Sequence, residues 1–346
     1  MNDPDRFFKF STPGAQEWWY FDAISDDGRD VLVVVWYVGL PFDPSYGVAA
    51  LRHLKDPARY PQPDALDHCA IGFSLHRDGK PLAYALNAFE APSFAHEDEP
   101  FAIEIDGNRL ERDAEGYSLH VATPDVDGKT RIESRFRFRP AAETSPLERD
   151  LGAPGSRHVW MLAAADCAVE GQIRIGTRDL TFRGRGYHDH NAGEQEISRA
   201  IRRWEWGRVH HGPLTDVYYF SQPHDGPRQS LHLTCRDGRP ESIRTPTEVR
   251  GTRPTRNIFG VRFDRDITIR DDSGTLRCHH ETCLDDGPFY RRSLTRFAFG
   301  SNEIDSAGIS ELLDTRNLNR VWFNWMIPFR LKRPGANVAT GDRFPK

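Results

Sequence analysis

Apolar and polar positions along the chain alternate with a period of two far more often than with a helical period. Glu17-Trp18-Trp19-Tyr20-Phe21 opens an aromatic run that breaks at Ser25-Asp26-Asp27-Gly28, and Val31 to Val38 resumes it with β-branched density. Two such runs around a Gly-containing turn predict a hairpin. Further strands are predicted over 70–76, 82–89, 101–105, 117–123 and 132–139. In the last of these, Arg135, Arg137 and Arg139 alternate with Phe136 and Phe138, as a strand with one wet face requires. No helical stripe of about 12 residues stands out in this half.

The stretch from Pro140 to Ser156 is rich in Pro, Gly, Ser and charge, lacks periodicity, and reads as a linker. A second strand series is predicted over 158–168, 172–175, 180–187, 204–210, 216–221, 230–235, 261–269, 275–283, 290–300 and 321–331. Helices are expected only as short pieces, chiefly 194–203 and 309–313. Many short strands in two successive sets predict an all-β fold of two consecutive antiparallel β-barrel or sandwich domains. The expected division is a domain over 1–140, a linker over 141–156 and a second domain over 157–346.

Composition narrows the class. In a chain of 346 residues, 38% hydrophobic and 28% charged residues exclude wholesale disorder, and 11% aromatics suit a β-rich protein with large pockets. A net charge of −5 offers no general attraction to nucleic acid or to anionic membrane. The five cysteines are scattered without a CxxC pair, so a reducing, cytoplasmic setting is expected. Nothing resembles a signal peptide, and no window approaches the roughly 18 apolar residues of a membrane span. Trp322 to Phe329, followed by Arg330, Lys332 and Arg333, suits either a peripheral membrane contact or a terminal barrel strand. Oligomeric state is not legible in the pattern.

The densest polar cluster is Thr181 to Gly193, TFRGRGYHDHNAG. On a strand, Tyr187, Asp189 and Asn191 share one face while His188 and His190 take the other. His158 and Trp160 repeat the i, i+2 arrangement on an earlier strand, and Trp204 and Trp206 do so on a later one. His188 and His190 could chelate zinc, with His210-His211 and His279-His280 as further imidazoles, but no HExxH helix or Cys cluster accompanies them. Neither a metal nor any other cofactor is expected. Gly184 and Gly186, outside any βαβ context, read as places of close backbone approach within a strand.

There is no G-x-S-x-G elbow, P-loop or catalytic-cysteine signature, which leaves acid–base chemistry assisted by aromatics. An Asp facing a poorly hydrated aromatic cavity has its charged form disfavoured and can hold a proton near neutral pH. Such an acid can protonate an electron-rich alkene, and the face of Trp160 can stabilise the cation. Water, oriented by His158 or by the Asp189 carboxylate, can then add. Without water capture the same step gives isomerisation or cyclisation.

Several of these segments together resemble the carotenoid 1,2-hydratases (hydroxyneurosporene synthases) and the two-domain, lipocalin-like proteins around them. The similarity rests on Glu17-Trp18-Trp19-Tyr20, His158-Val159-Trp160, Gly186 to Asn191 with Gly193, Trp204-Glu205-Trp206-Gly207, Ser310-Glu311 and Trp322 to Arg333. It implies a cofactor-independent hydratase that adds water to an isoprenoid double bond. Asp189 would be the proton donor, His158 and Tyr187 its polar neighbours, and Trp160 the cation stabiliser. Trp204, Trp206, Asn191 and Trp19 are the residues expected to touch a lipophilic small-molecule substrate. Relatives with the same scaffold include pericyclic ring-closing enzymes, so a cyclase of the Diels–Alderase kind and a non-catalytic lipophile carrier remain as alternatives.

Overall fold

The structure is a computed structural model that describes residues 3–142, 147–152, 155–300, 302–318, 320 and 326–334. The strands of the first sheet are β1 (Gln16–Ser25), β2 (Asp30–Val38), β3 (Cys69–Arg77), β4 (Lys80–Phe89), β5 (Phe94–Glu97), β6 (Ala102–Ile105), β7 (Asn108–Asp113), β8 (Gly116–Pro124), β9 (Arg131–Pro140), β10 (Leu147–Asp150), β11 (His158–Ile175) and β12 (Arg178–Gly193). Those of the second are β13 (Ile201–His211), β14 (Leu214–Pro223), β15 (Gln229–Arg236), β16 (Arg239–Arg244), β17 (Glu248–Arg256), β18 (Arg262–Asp271), β19 (Gly274–Asp286), β20 (Tyr290–Phe299) and β21 (Asn302–Asp314). A two-residue strand, β22 (Leu331–Lys332), pairs in parallel with β4 and returns the chain to the first sheet. The expected all-β, two-domain lipocalin-like architecture is the observed one, as two curled sheets that are antiparallel apart from β22.

The first sheet runs β22-β4-β3-β2-β1-β12-β11-β9-β8-β7-β6-β5, with β10 beside β11; the second runs β16-β15-β14-β13-β21-β20-β19-β18-β17. Strands β1, β2 and the second half of β12 bury both faces, because the sheet curls over its own core on one side and takes the second sheet on the other. Odd-numbered β1 residues such as Trp19 and Phe21 enter the inner core with Trp36, Leu119 and Phe136. Even-numbered Trp18 and Tyr20 enter the core between the sheets with Trp160, Tyr187, Trp204, Trp206 and Ile309. This two-sided burial explains why the alternation in β1 is aromatic on both phases rather than apolar and polar.

Several expectations change. The boundary between sheets falls between Gly193 and Ile201, not over 141–156: β11 and β12, expected in the second domain, form a long hairpin that pairs with β9 and β1 of the first sheet. Polar composition marks a surface excursion, whereas strand partnership is set by long-range pairing that composition does not encode. Part of the supposed linker is itself strand β10, paired with β11. Helix α1 (Pro44–Lys55) was not anticipated, because only Tyr46, Gly47 and Ala50 are buried and the apolar stripe is narrow. Its ends are well signalled, with Asp43 accepting from Ser45 N, Pro44 in the first turn and Arg52, His53 and Lys55 in the last.

Conversely, 309–313 is not helical but the C-terminal part of β21, held between β13 and β20, where tertiary pairing overrides the helical preference of Glu and Leu. Only Ile197–Ala200 of 194–203 is helical, as α2. Of the strand expected over 321–331, Ile327–Arg330 is a short helix, α3, and Leu331 opens β22; residues 321–325, including Trp322 and Trp325, lie outside the described residues. Of the cations proposed for a membrane contact, Arg330 pairs with Asp285 and Arg333 with Asp43, while Phe329 is 65% exposed. No described helix is long and apolar enough to cross a membrane.

Candidate active site

Strand β12 carries the site because β1 and β11 flank it in one register: Asn191 lies opposite Trp18 and Trp160, and Asp189 opposite Tyr20 and Leu162. Close approach depends on Gly184 and Gly186. A Cβ on Gly186 would sit 2.7 Å from Asp22 O and 2.6 Å from Val169, and one on Gly184 would sit 2.2 Å from Ile24 O. Just beyond this crossing, β11 shifts register against β12 between Leu162 and Cys167, an irregularity of the kind that bends a strand.

Tyr187, Asp189 and Asn191 share one face, as the period of two requires, and converge on a single carboxyl group. Trp160 Nε1 and Tyr187 Oη each donate to Asp189 Oδ2 at 2.9 Å, and Asn191 Nδ2 donates to Oδ1 at 3.0 Å. Two donors fill the acceptor sites of Oδ2, so the proton of the neutral acid belongs on Oδ1. Burial pushes the Asp189 carboxyl up to about 7; hydrogen bonds from Trp160 and Tyr187 work against that shift, while the Glu311 and Asp22 carboxylates add to it. The result is an acid poised near neutrality. Tyr187 is held well above the ordinary phenol range, chiefly by its burial and then by the Asp189 charge, and remains a donor.

Asp189 and Asn191 open onto a narrow cavity of about 30 Å³ walled by Trp18, Tyr20, Trp204, Trp206, Tyr219 and Glu311. Trp18 and Trp204 stack at 5.9 Å, and Tyr20 meets Trp206 edge-on at 5.5 Å. Electron-rich ring faces thus border the acid on the second-sheet side. Across the same face of the first sheet, Val33, Val35, Tyr37 and Gly72 floor a larger chamber of about 470 Å³, roofed by Phe289 and Tyr290. Asp189, Tyr20, Val35 and Gly72 are successive register partners, so the chamber begins two strands from the acid, about 10 Å away. The buried Arg292–Glu311 pair, 2.7 Å, stands between the two spaces.

Placement changes several expected roles. Trp160 is fully buried behind Asp189 and acts as its hydrogen-bond donor; the ring faces lining the cavity belong to Trp18, Trp204, Trp206 and Tyr219. His158 does not touch the acid. Its ring lies against Trp18 at 5.6 Å and Trp204 at 6.2 Å, and neither nitrogen has a hydrogen-bond partner among the described residues. Burial lowers it to about 4, so it is neutral at physiological pH. Trp204 and Trp206 line the cavity as expected, but Trp19 does not. It faces the inner core, stacks on His190 at 4.6 Å and donates to Asp5 O, because its parity on β1 is opposite to that of Trp18.

His188 and His190 share that inner face. His188 bridges Asp5 and Tyr20 O, and His190 bridges Glu17 and Pro4 O, so both imidazoles tie the N-terminal segment to the first sheet. Among the described residues no group of three or more metal-ligating side chains converges. Four wall residues, Trp18, Tyr20, Tyr219 and Glu311, were not singled out as site residues by sequence reasoning. Parity with Asp189 would have found Trp18 and Tyr20 had the β1–β12 register been known; Glu311 stands out only within the Ser310-Glu311 segment, and nothing local marks Tyr219.

The family model for carotenoid hydratase CrtC matches residues 34–339. The chain belongs to the carotenoid hydratase CrtC family. Within the reach of this family, the hydroxyneurosporene dehydrogenase of Chlorobaculum tepidum is 30% identical over 96% of this chain and 91% of its own length. The acyclic carotenoid 1,2-hydratase of Thiocapsa roseopersicina is 29% identical over 97% of this chain and 78% of its own. Among solved structures, an AttH protein of Nitrosomonas europaea superposes with a TM-score of 0.62 over 90% of this chain and 98% of that one, at 14% identity, which bears on the fold alone.

Proposed function

We propose that this CrtC-family protein is a hydratase that adds water to a double bond of an acyclic isoprenoid polyene, with Asp189 as the acid. The observation that carries the reading is a buried carboxyl near neutral pKa, gripped by three donors and facing aromatic walls. Protonation of a trisubstituted alkene from Oδ1 gives a tertiary cation beside the rings of Trp18, Trp204 and Trp206. The three donors then hold the carboxylate that is left, so the group is stabilised more after proton transfer than before. No residue in this sequence of steps needs a cofactor. The chamber of about 470 Å³ suits the apolar body of the substrate, in the range typical of small-molecule sites.

Incubation with an acyclic carotenoid in detergent is expected to give a product heavier by one water in mass spectrometry. The rate should be highest where Asp189 keeps its proton and should fall as pH rises past about 7, approaching tenfold per unit. A product of unchanged mass would point to cyclisation or isomerisation, and a rate that climbs from pH 6 to 9 would remove Asp189 as the acid.

The chamber makes a separate prediction. A Cβ on Gly72 would sit 3.3 Å from the Tyr37 ring and the rest of a larger side chain would extend into the space above. Gly72→Leu is expected to raise KM for a long polyene about tenfold or more while leaving the acid untouched. Equal KM values for both proteins would mean that the tail binds elsewhere.

A further inference from the structure

Addition of water needs a second site beside the acid, one that holds the water where the cation will form. The cavity at Asp189 has the room for it: its volume of about 30 Å³ exceeds the roughly 10–15 Å³ that one water needs. A water held in a protein also needs two to four polar partners, and three side chains of this wall supply them. Tyr20 Oη and Trp206 Nε1 are buried; Tyr20 makes a loose polar contact with Asp22 and Trp206 one with Tyr187, but among the described residues neither atom has a hydrogen bond of normal geometry. Buried polar atoms left in that state are rare in folded proteins. The third partner is the Glu311 carboxylate, which lines the same cavity and is fixed by Arg292 Nε at 2.7 Å. Glu311 reaches this position through register alone, because β21 pairs it with Trp206 on one side and with Arg292 on the other.

We propose that Tyr20, Trp206 and Glu311 form the binding site of the water that hydrates the substrate, Glu311 accepting a hydrogen bond from it and Trp206 donating one. The assignment rests on the acid reading of Asp189 and adds to it the residues that decide what becomes of the cation. Bond by bond, the Asp189 Oδ1–H bond breaks as the alkene π pair forms a new C–H bond, leaving a tertiary carbocation. The water oxygen then uses a lone pair to form the C–O bond. The resulting oxonium passes one proton to the Asp189 carboxylate, which restores the acid, and the net change is alkene plus water to tertiary alcohol. Trp206 Nε1, a donor only, and the Glu311 carboxylate, an acceptor only, together orient the water with a lone pair free for carbon. His158, the residue expected from sequence to orient water, lies outside this wall.

The test separates protonation from water capture by running the reaction in D₂O with an acyclic carotenoid. Wild-type protein should give the alcohol with one deuterium on the carbon next to the new C–O bond. In Tyr20→Phe and Trp206→Phe, alcohol formation should fall about 100-fold, the size of effect expected when a reactant is misplaced by an ångström. Asp189 still protonates in these variants, so recovered alkene, or its double-bond isomer, should carry deuterium. Glu311→Gln should behave the same way, and because it also leaves Arg292 with a weaker partner, Tyr20→Phe, which removes a single oxygen, is the decisive variant. Alcohol formation at the wild-type rate in Tyr20→Phe and Trp206→Phe overturns the assignment. So does a parallel loss of alcohol and deuterium incorporation, or the expected split appearing in His158→Phe instead. Failure of the acid reading looks different: Asp189→Asn would then keep both alcohol and deuterium incorporation.

Discussion

Asp189→Asn is expected to lose hydration by about 10⁴-fold, the upper end of what general acid catalysis contributes, and to become more stable than the wild type above neutral pH. The first effect follows from removing the proton that attacks the alkene. The second follows from linkage. Burial raises the folded-state carboxyl from 3.8 to about 7, so between these values the unfolded chain has released a proton that the folded chain still holds. Stability contributed by the neutral group is therefore full below about pH 4 and is lost as pH rises through about 7, a penalty of at most about 4 kcal/mol. Asparagine has the same shape, can accept from Trp160 and Tyr187, and never ionises. Denaturant melts of the two proteins should therefore coincide near pH 4 and separate in favour of the variant by pH 8. Melts that separate in the opposite sense would mean that the Asp189 carboxylate is stabilised by its three donors more than burial penalises it.

Replacing Arg208 is expected to have the largest effect on stability. Arg208 on β13 and Asp22 on β1 form an ion pair that joins the two sheets, with side chains 1% and 0% exposed. Burial pushes the Asp22 carboxyl up and the Arg208 guanidinium pulls it back. Removing one partner strands the other in a low-dielectric interface, which costs about 3–5 kcal/mol, whereas replacing both with apolar groups of similar volume is close to neutral. Arg208→Met should thus lower unfolding stability by several kcal/mol, and Asp22→Leu combined with Arg208→Met should recover most of it. Because Asp22 is among the carboxylates that raise Asp189, the double variant should also move the alkaline limb of the hydration pH profile downward. A single variant within about 1 kcal/mol of wild type would show that the pair does not hold the sheets together.

Period-two patterning alone determined the fold class, most strand positions and the parity that puts Tyr187, Asp189 and Asn191 on one face with His188 and His190 on the other. It did so because side-chain alternation is a local property of an extended chain. Motif order across nearly the whole length was enough to suggest the family. Register and partnership, in contrast, depend on residues far apart in sequence. Only the tertiary structure decided that β11 and β12 belong to the first sheet, that Trp18 rather than Trp19 reaches the cavity, and that Trp160 stands behind the acid instead of over the cation. It also brought Glu311, read as helical, onto a central strand beside Trp206. A one-residue change of register would turn every one of these side chains to the opposite face, which is why the composition of the site was readable in the sequence while its walls were not.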